Sequence, residues 1–221
     1  MLRIFPILTA LAAAGFAQTN VLTANYDNNR TNANLQETLL TPVNVAPGSF
    51  GKLGTFPVDG QIYAQPLYVS RLAVPGHGIR NVLFVATQHN TVYAYDADSS
   101  AQPLVLWHVN LGPSVPSSTF GAAFHDISPE IGILSTPVID RQRGVIYVVS
   151  FSPAGGSVAY ELHALDLGSG AERLNGPGTL GATVPGNGAG GNGDGTMSFD
   201  PMWHLQRPGL LLLNNAVYIA F

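Results

Sequence analysis

Glu130-Ile131-Gly132-Ile133-Leu134-Ser135-Thr136-Pro137-Val138-Ile139-Asp140 leads, after a turn, into Val145-Ile146-Tyr147-Val148-Val149, and then into Tyr160-Glu161-Leu162-His163-Ala164-Leu165-Asp166. These three runs decide the fold. The first apolar run opens at a proline. The second carries an aromatic near its middle. The third alternates and ends at an aspartate and a turn. Short β-branched runs bounded by turn residues are strands.

The same grammar recurs on both sides. Upstream, Gly60-Gln61-Ile62-Tyr63-Ala64-Gln65-Pro66-Leu67-Tyr68-Val69 precedes Val82-Leu83-Phe84-Val85-Ala86, Thr91-Val92-Tyr93-Ala94-Tyr95-Asp96 and Val105-Leu106-Trp107-His108-Val109. Downstream, Trp203-His204-Leu205-Gln206-Arg207-Pro208-Gly209-Leu210-Leu211-Leu212 precedes Ala216-Val217-Tyr218-Ile219-Ala220. The leading prolines stand at 66, 137 and 208, a constant step of 71 residues. Each unit holds about four strands, although the fourth of the middle unit, near Ala171 to Leu174, is weak. A lone four-stranded sheet cannot bury both faces, so the units must stack, and a closed ring removes the ends of the stack. The expected fold is all-β, a partial β-propeller of four-stranded antiparallel blades. Blade one covers about 60–112, blade two about 130–175, and blade three begins near 203. A minimal blade takes roughly 40–50 residues, so the excess lies in loops, chiefly Gly112 to Pro129 and Gly176 to Pro201. Phe221 falls within the second strand of the third unit, whose edge has no further partner. An incomplete ring is therefore expected over 50–221. Gly51 to Val58 is expected to be the outermost strand of the ring's last blade.

Composition agrees with many short strands. Among 221 residues, glycine (25) and proline (16) are plentiful, apolar residues make up 46% and charged residues 10%, and the net charge is −4. Long helices tolerate neither glycine nor proline. The charge excludes a disordered polyelectrolyte tail and offers no basic surface for nucleic acid. There are no cysteines, which excludes thiol catalysis, iron–sulfur clusters and cysteine zinc sites in this segment. Met1-Leu2-Arg3, the apolar run Ile4 to Ala14 and Gly15-Phe16-Ala17 read as a signal peptide cleaved after Ala17. That run is far short of the roughly 20 residues that span a bilayer. Export to the periplasm or beyond is expected, with no membrane span after cleavage. Residues 18–49 follow as a polar lead-in, extended and not a packed element.

The repeats resemble those of the quinoprotein-like propellers, named after pyrroloquinoline quinone (PQQ). The resemblance lies in the proline-led first strands, in Leu83-Phe84-Val85-Ala86-Thr87 followed by Thr91-Val92-Tyr93-Ala94-Tyr95-Asp96-Ala97, and in Leu162-His163-Ala164-Leu165-Asp166-Leu167-Gly168-Ser169-Gly170. It covers roughly residues 50 to 221. The family's docking tryptophan follows the turn by a few residues. Leu174 stands near that place in the second unit, and Trp107 follows an insertion, Asp98 to Pro103, in the first. The resemblance implies PQQ and calcium as cofactors of the complete protein, if it is an enzyme, and gives no numbered position for a catalytic aspartate or a calcium ligand. Propellers with these repeats also serve as scaffolds without quinone.

Loops leading into innermost blade strands converge at one mouth of a propeller. His125, Asp126 and Glu130 lie in the long loop before the second unit. They read either as an acid/base or metal-ligand cluster or as a solvated loop stiffened by Pro129. Tyr63 and Gln65 before the first unit, with Trp203, His204, Gln206 and Arg207 before the third, occupy equivalent places. They would line the same mouth and suit a flat polar ligand, or else serve blade-to-blade packing. The six histidines show no close metal spacing, and His163 reads as structural. The glycine-rich run Gly186 to Gly195 reads as a surface loop. Two functions follow: a scaffold binding a small molecule or protein at the propeller face, or part of a PQQ- and calcium-dependent dehydrogenase of alcohols or sugars. A hydrolase or lyase on the same fold is a third.

Overall fold

The structure, a computed structural model, describes residues 19–121, 124, 126–173 and 175–221. The expected signal peptide (1–17), His125 and Leu174 lie outside the described residues. The described chain is all-β, with several antiparallel sheets, none of them closed. Strands β1 (Leu67–Val74), β2 (Gly78–Ala86), β3 (Thr91–Asp96) and β4 (Val105–Asn110) form the first four-stranded sheet, in sequence order. A short ladder pairs β5 (Val115–Pro116) with β6 (Glu130–Ile131). The second four-stranded sheet is again a meander: β7 (Val138–Asp140), β8 (Val145–Ala154), β9 (Ser157–Asp166) and β10 (Gly178–Thr179). A hairpin of β11 (Thr183–Pro185) and β12 (Thr196–Ser198) precedes a third sheet of β13 (Leu211–Leu213) and β14 (Ala216–Tyr218). The segments led by Pro66, Pro137 and Pro208 thus open three separate sheets. No helix of the described residues is long and apolar enough to cross a membrane.

The period of two along β8 explains how the sheets stack. Ile146 and Val148 face the first sheet and join Val69, Phe84, Ala94 and Trp107 in one buried cluster. Val149 and Phe151 face the other way and join Tyr160, Leu210 and the partly buried Leu212, Val217 and Ile219 in a second. The middle sheet is hidden on both faces, so its central strand reads as a near-continuous apolar run.

Three features differ from the sequence expectation. Residues 51–58 form no strand. The end of this stretch docks on β3 instead: Phe56 lies 5.0 Å from the Tyr95 ring, and the Tyr95 hydroxyl donates to the Pro57 carbonyl. The fourth strand of the second sheet is Gly178–Thr179, opposite Leu162 and Glu161, while the expected stretch contributes a single bridge, Leu165 to Glu172. Finally, the first part of the lead-in is packed. Val21 bridges Tyr68 with backbone bonds of 2.9 Å in both directions, and Thr23 is buried.

Candidate functional site

Register fixes which loops share an end of the stack. Leu67 at the start of β1 lies opposite Phe84 near the end of β2, and Thr91 at the start of β3 lies opposite Asn110 at the end of β4. The segment leading into β1, the β2–β3 turn and the connection from β4 to β7 therefore meet at one end.

The turn Thr87-Gln88-His89-Asn90 is the centre of a polar cluster there. Asn90 takes a left-handed conformation (φ 59°), which asparagine tolerates better than most residues. Its side-chain amide donates to the Phe151 carbonyl (2.9 Å) and to Ser152 Oγ (3.2 Å), pinning the turn to the second sheet. Gly132 completes the fit, because a Cβ there would stand 2.2 Å from the Gln88 carbonyl oxygen. His89 Nδ1 lies 2.9 Å from Glu130 Oε1, and Ser114 Oγ donates to the other carboxylate oxygen. Asp59 accepts from Thr87 Oγ1 (2.9 Å) and from Thr91 Oγ1.

The hydrogen bond that protonated His89 donates to Glu130 raises the proton affinity of His89, against a smaller opposing effect of burial. Burial, with the Asp59 charge second, pushes the phenols of Tyr93 and Tyr95 upward. In an NMR titration the His89 ring should change charge above its ordinary value of 6.5, and Glu130→Gln should bring the midpoint back toward it. A folded-state value above the unfolded one means the pair stabilises the fold below about 6.5. That contribution disappears as pH rises through the folded-state value. The His89 side chain is 48% exposed, so solvent screening keeps the effect small. An unchanged midpoint in Glu130→Gln would show that the contact is not formed in solution.

The other candidates divide. Tyr63 and Arg207 come together, with the guanidinium 6.0 Å from the ring centroid. The Tyr63 hydroxyl donates to Gln61 Oε1 (3.3 Å), and Gln61 Nε2 donates to the Ser128 carbonyl (2.9 Å). Gln65 N–H donates to Thr136 Oγ1 at 2.9 Å, and Leu210 N–H donates to the Thr136 carbonyl at 2.9 Å. The leading segments of all three sheets are thereby tied to one another. Gln206, expected at the mouth, is instead 2% exposed. Its amide must satisfy the carbonyls of Pro208 and Ala220, and its N–H donates to Tyr160 Oη. Trp203 is 83% exposed, and His204 is held locally by the Asp200 carbonyl (2.8 Å). Asp126 is exposed. His125 lies outside the described residues.

A second polar chain joins Ser150 Oγ to His163 Nε2 (3.0 Å) and His163 Nδ1 to Glu172 Oε2 (2.7 Å). Hydroxyl, imidazole and carboxylate stand in the order of a nucleophile relay. However, Ser150 is 0% exposed, and Glu172 also accepts from Ala164 N–H (2.8 Å). The chain fastens the segment around Glu172 to β9, in keeping with a structural His163. In the glycine-rich loop, Asp194 accepts from the Thr196 N–H and hydroxyl, so its carboxylate is engaged within the turn. Among the described residues, no group of three His, Cys, Asp or Glu is placed to hold a metal ion.

No family model, curated protein or solved structure matches the chain. The geometry of the molecule itself therefore carries the functional reading.

Sequence reasoning missed His89, Ser114, Asp59 and Asn90. The signal for the turn was available: a polar Thr-Gln-His-Asn-Thr run between two apolar strands. The partners of His89 were hidden, because Glu130 lies 41 residues away.

Proposed function

We propose that the three stacked sheets are consecutive blades of an exported β-propeller of the quinoprotein-like, PQQ-repeat kind, used as a binding scaffold. The observation that carries this reading is the tying of the three leading segments at one end: Tyr63 to Arg207, Gln65 to Thr136, and Thr136 to Leu210. A shared end built from successive units is what stacking around an axis requires. Trp107 supports the same reading, since its indole N–H donates to the Leu167 carbonyl of the next sheet's turn at 3.0 Å. This is the kind of docking the resemblance implies. The ligand surface is the end face around Tyr63 and Arg207, where an aromatic ring and a guanidinium would hold a flat polar molecule or an acidic protein segment.

Two measurements test this. Dye-linked oxidation of ethanol and glucose, with PQQ and Ca²⁺ added, should give no turnover; dye reduction above a heat-treated control would replace the scaffold with the dehydrogenase. A thermal-shift screen of flat polar compounds, PQQ among them, should give binders that Tyr63→Ala and Arg207→Ala each weaken by roughly fivefold or more, on the scale of one partly desolvated cation–π contact. Binders indifferent to both substitutions would remove the end face from the proposal.

A further inference from the structure

The lead-in supplies what the exposed edges of the sheets lack. Strands β1 and β7 stand at the edges of their sheets, and an edge strand presents unpaired N–H and C=O groups. Val21 exchanges both backbone bonds with Tyr68 on β1, and Ile139 N–H on β7 donates to the Leu22 carbonyl at 2.8 Å. Asn20 Oδ1 accepts from Ser70 N–H at 2.8 Å. The same segment then reaches the third sheet. Thr23 Oγ1 donates to the Leu210 carbonyl (3.2 Å), and the Asn28 amide donates to the Leu212 carbonyl (3.0 Å). Between Asn20 and Arg30 the lead-in thus touches all three sheets.

Arg30 locks the far end. Its guanidinium donates to Leu210 O (3.1 Å), to Thr23 Oγ1 (2.7 Å) and to Ala24 O (2.7 Å). A Cβ on Gly209 would stand 2.8 Å from the Ala24 methyl, so the two backbones meet where glycine allows it. Asn25, Tyr26, Arg30 and Asn32 all have φ between 53° and 73°. A left-handed backbone is unfavourable for tyrosine and arginine and persists only where surroundings over-determine it. Beyond this region the chain turns outward, and Leu35, Val43 and Leu53 are each more than 80% exposed.

We propose that the neighbouring edges of β1, β7 and β13 form a peptide-binding site, filled in cis by residues 19–32, and that the same segment from another copy of the chain exchanges into it. The chemistry is strand addition: main-chain bonds give affinity, and Arg30 with the Asn and Thr side chains gives register. The tether through residues 35–53 holds the cis segment at high effective concentration, so exchange waits until that tether is cut or stretched. Only the sheet edges are required, so exchange is expected whether or not the sheets belong to a closed ring or the end face binds a ligand.

The test is to insert a site-specific protease sequence after Pro47, in the exposed tether, and to cut the purified protein. The N-terminal piece should co-elute with the remainder on gel filtration, and a labelled synthetic peptide of residues 19–34 in excess should replace it. Arg30→Ala should speed its release by roughly tenfold to a hundredfold, the scale of a lost charged hydrogen-bond set. The proposal is overturned if the wild-type piece leaves at once, if the peptide never enters, or if Arg30→Ala changes nothing. In the uncut protein, hydrogen exchange probes the same contacts independently. Amide protection at Val21, Tyr68 and Ile139 should fall together in Arg30→Ala, and protection that stays intact counts against the site.

Discussion

Replacing Phe151 by alanine should lower the melting temperature by roughly 6–20 °C, as followed by near-ultraviolet circular dichroism. Phe151 is 0% exposed and sits on the face of β8 that meets the third sheet. Its ring stacks on Tyr160 with centroids 4.3 Å apart and lies 6.1 Å from Phe120. Truncating a buried phenylalanine costs about 3–5 kcal/mol in lost transfer free energy and residual cavity. In a chain of this size each kcal/mol moves the midpoint by about 2–4 °C. The neighbouring strands cannot collapse into the space, because the ladder between β8 and β9 fixes their separation from Val145–Asp166 to Ala154–Ser157. Phe151→Leu keeps most of the volume and should cost less than about 1.5 kcal/mol. Tyr160 reports the same event. Burial holds its phenol up at about 12, and water admitted by Phe151→Ala should bring its spectroscopic titration down toward the ordinary value near 10. A midpoint shift under about 2 °C would mean that the two sheets do not pack through this ring.

The repeat was legible because its spacing is a physical contact. Gln65 N–H donates to Thr136 Oγ1, and Arg141 donates to the Ser70 carbonyl, each across 71 residues. Equivalent positions on successive sheets touch, so a sequence period becomes a stacking vector. The strands were legible for the same reason: a sheet covered on both faces makes apolar runs that few other structures need. What escaped was everything held by polar groups. The lead-in is rich in Asn, Asp and Thr, which hydropathy assigns to solvent, yet those side chains satisfy strand edges. Residues 51–58 alternate as a strand does, but Pro57 lacks an N–H for a ladder and its carbonyl is capped by Tyr95. The polar cluster at the end face joins Asp59, His89, Ser114 and Glu130 from four separate segments. No local pattern links these residues; the register of the first sheet and the short β5–β6 ladder bring them together. Gln206 was misplaced by its neighbours: it stands among polar and charged residues, His204 and Arg207, that are exposed, and the carbonyls that need its amide lie at Pro208 and Ala220.

The docking of Trp107 on the next sheet makes the sharpest quantitative prediction. The indole bonds the Leu167 carbonyl and lies 5.8 Å from the Phe84 ring. Beneath it is Gly170, at φ 69°, where a Cβ would stand 2.5 Å from the tryptophan Cε3. Trp107→Ala should cost about 3–5 kcal/mol in urea denaturation. Gly170→Ala should cost about 2–4 kcal/mol. Overpacking against the ring supplies about 1–3 of this, and the left-handed backbone supplies about 1 more. These two costs are not independent. Once Trp107 is alanine, the ring that Gly170→Ala would strike is gone, and only the backbone cost of about 1 kcal/mol remains. The double variant should therefore be more stable than the sum of the singles predicts, by about 1–3 kcal/mol, the range for residues in direct contact. Additivity within about 0.5 kcal/mol would mean that the indole does not rest on this turn in solution. The first and second sheets would then be held together by their buried aliphatic cluster, without a docked tryptophan.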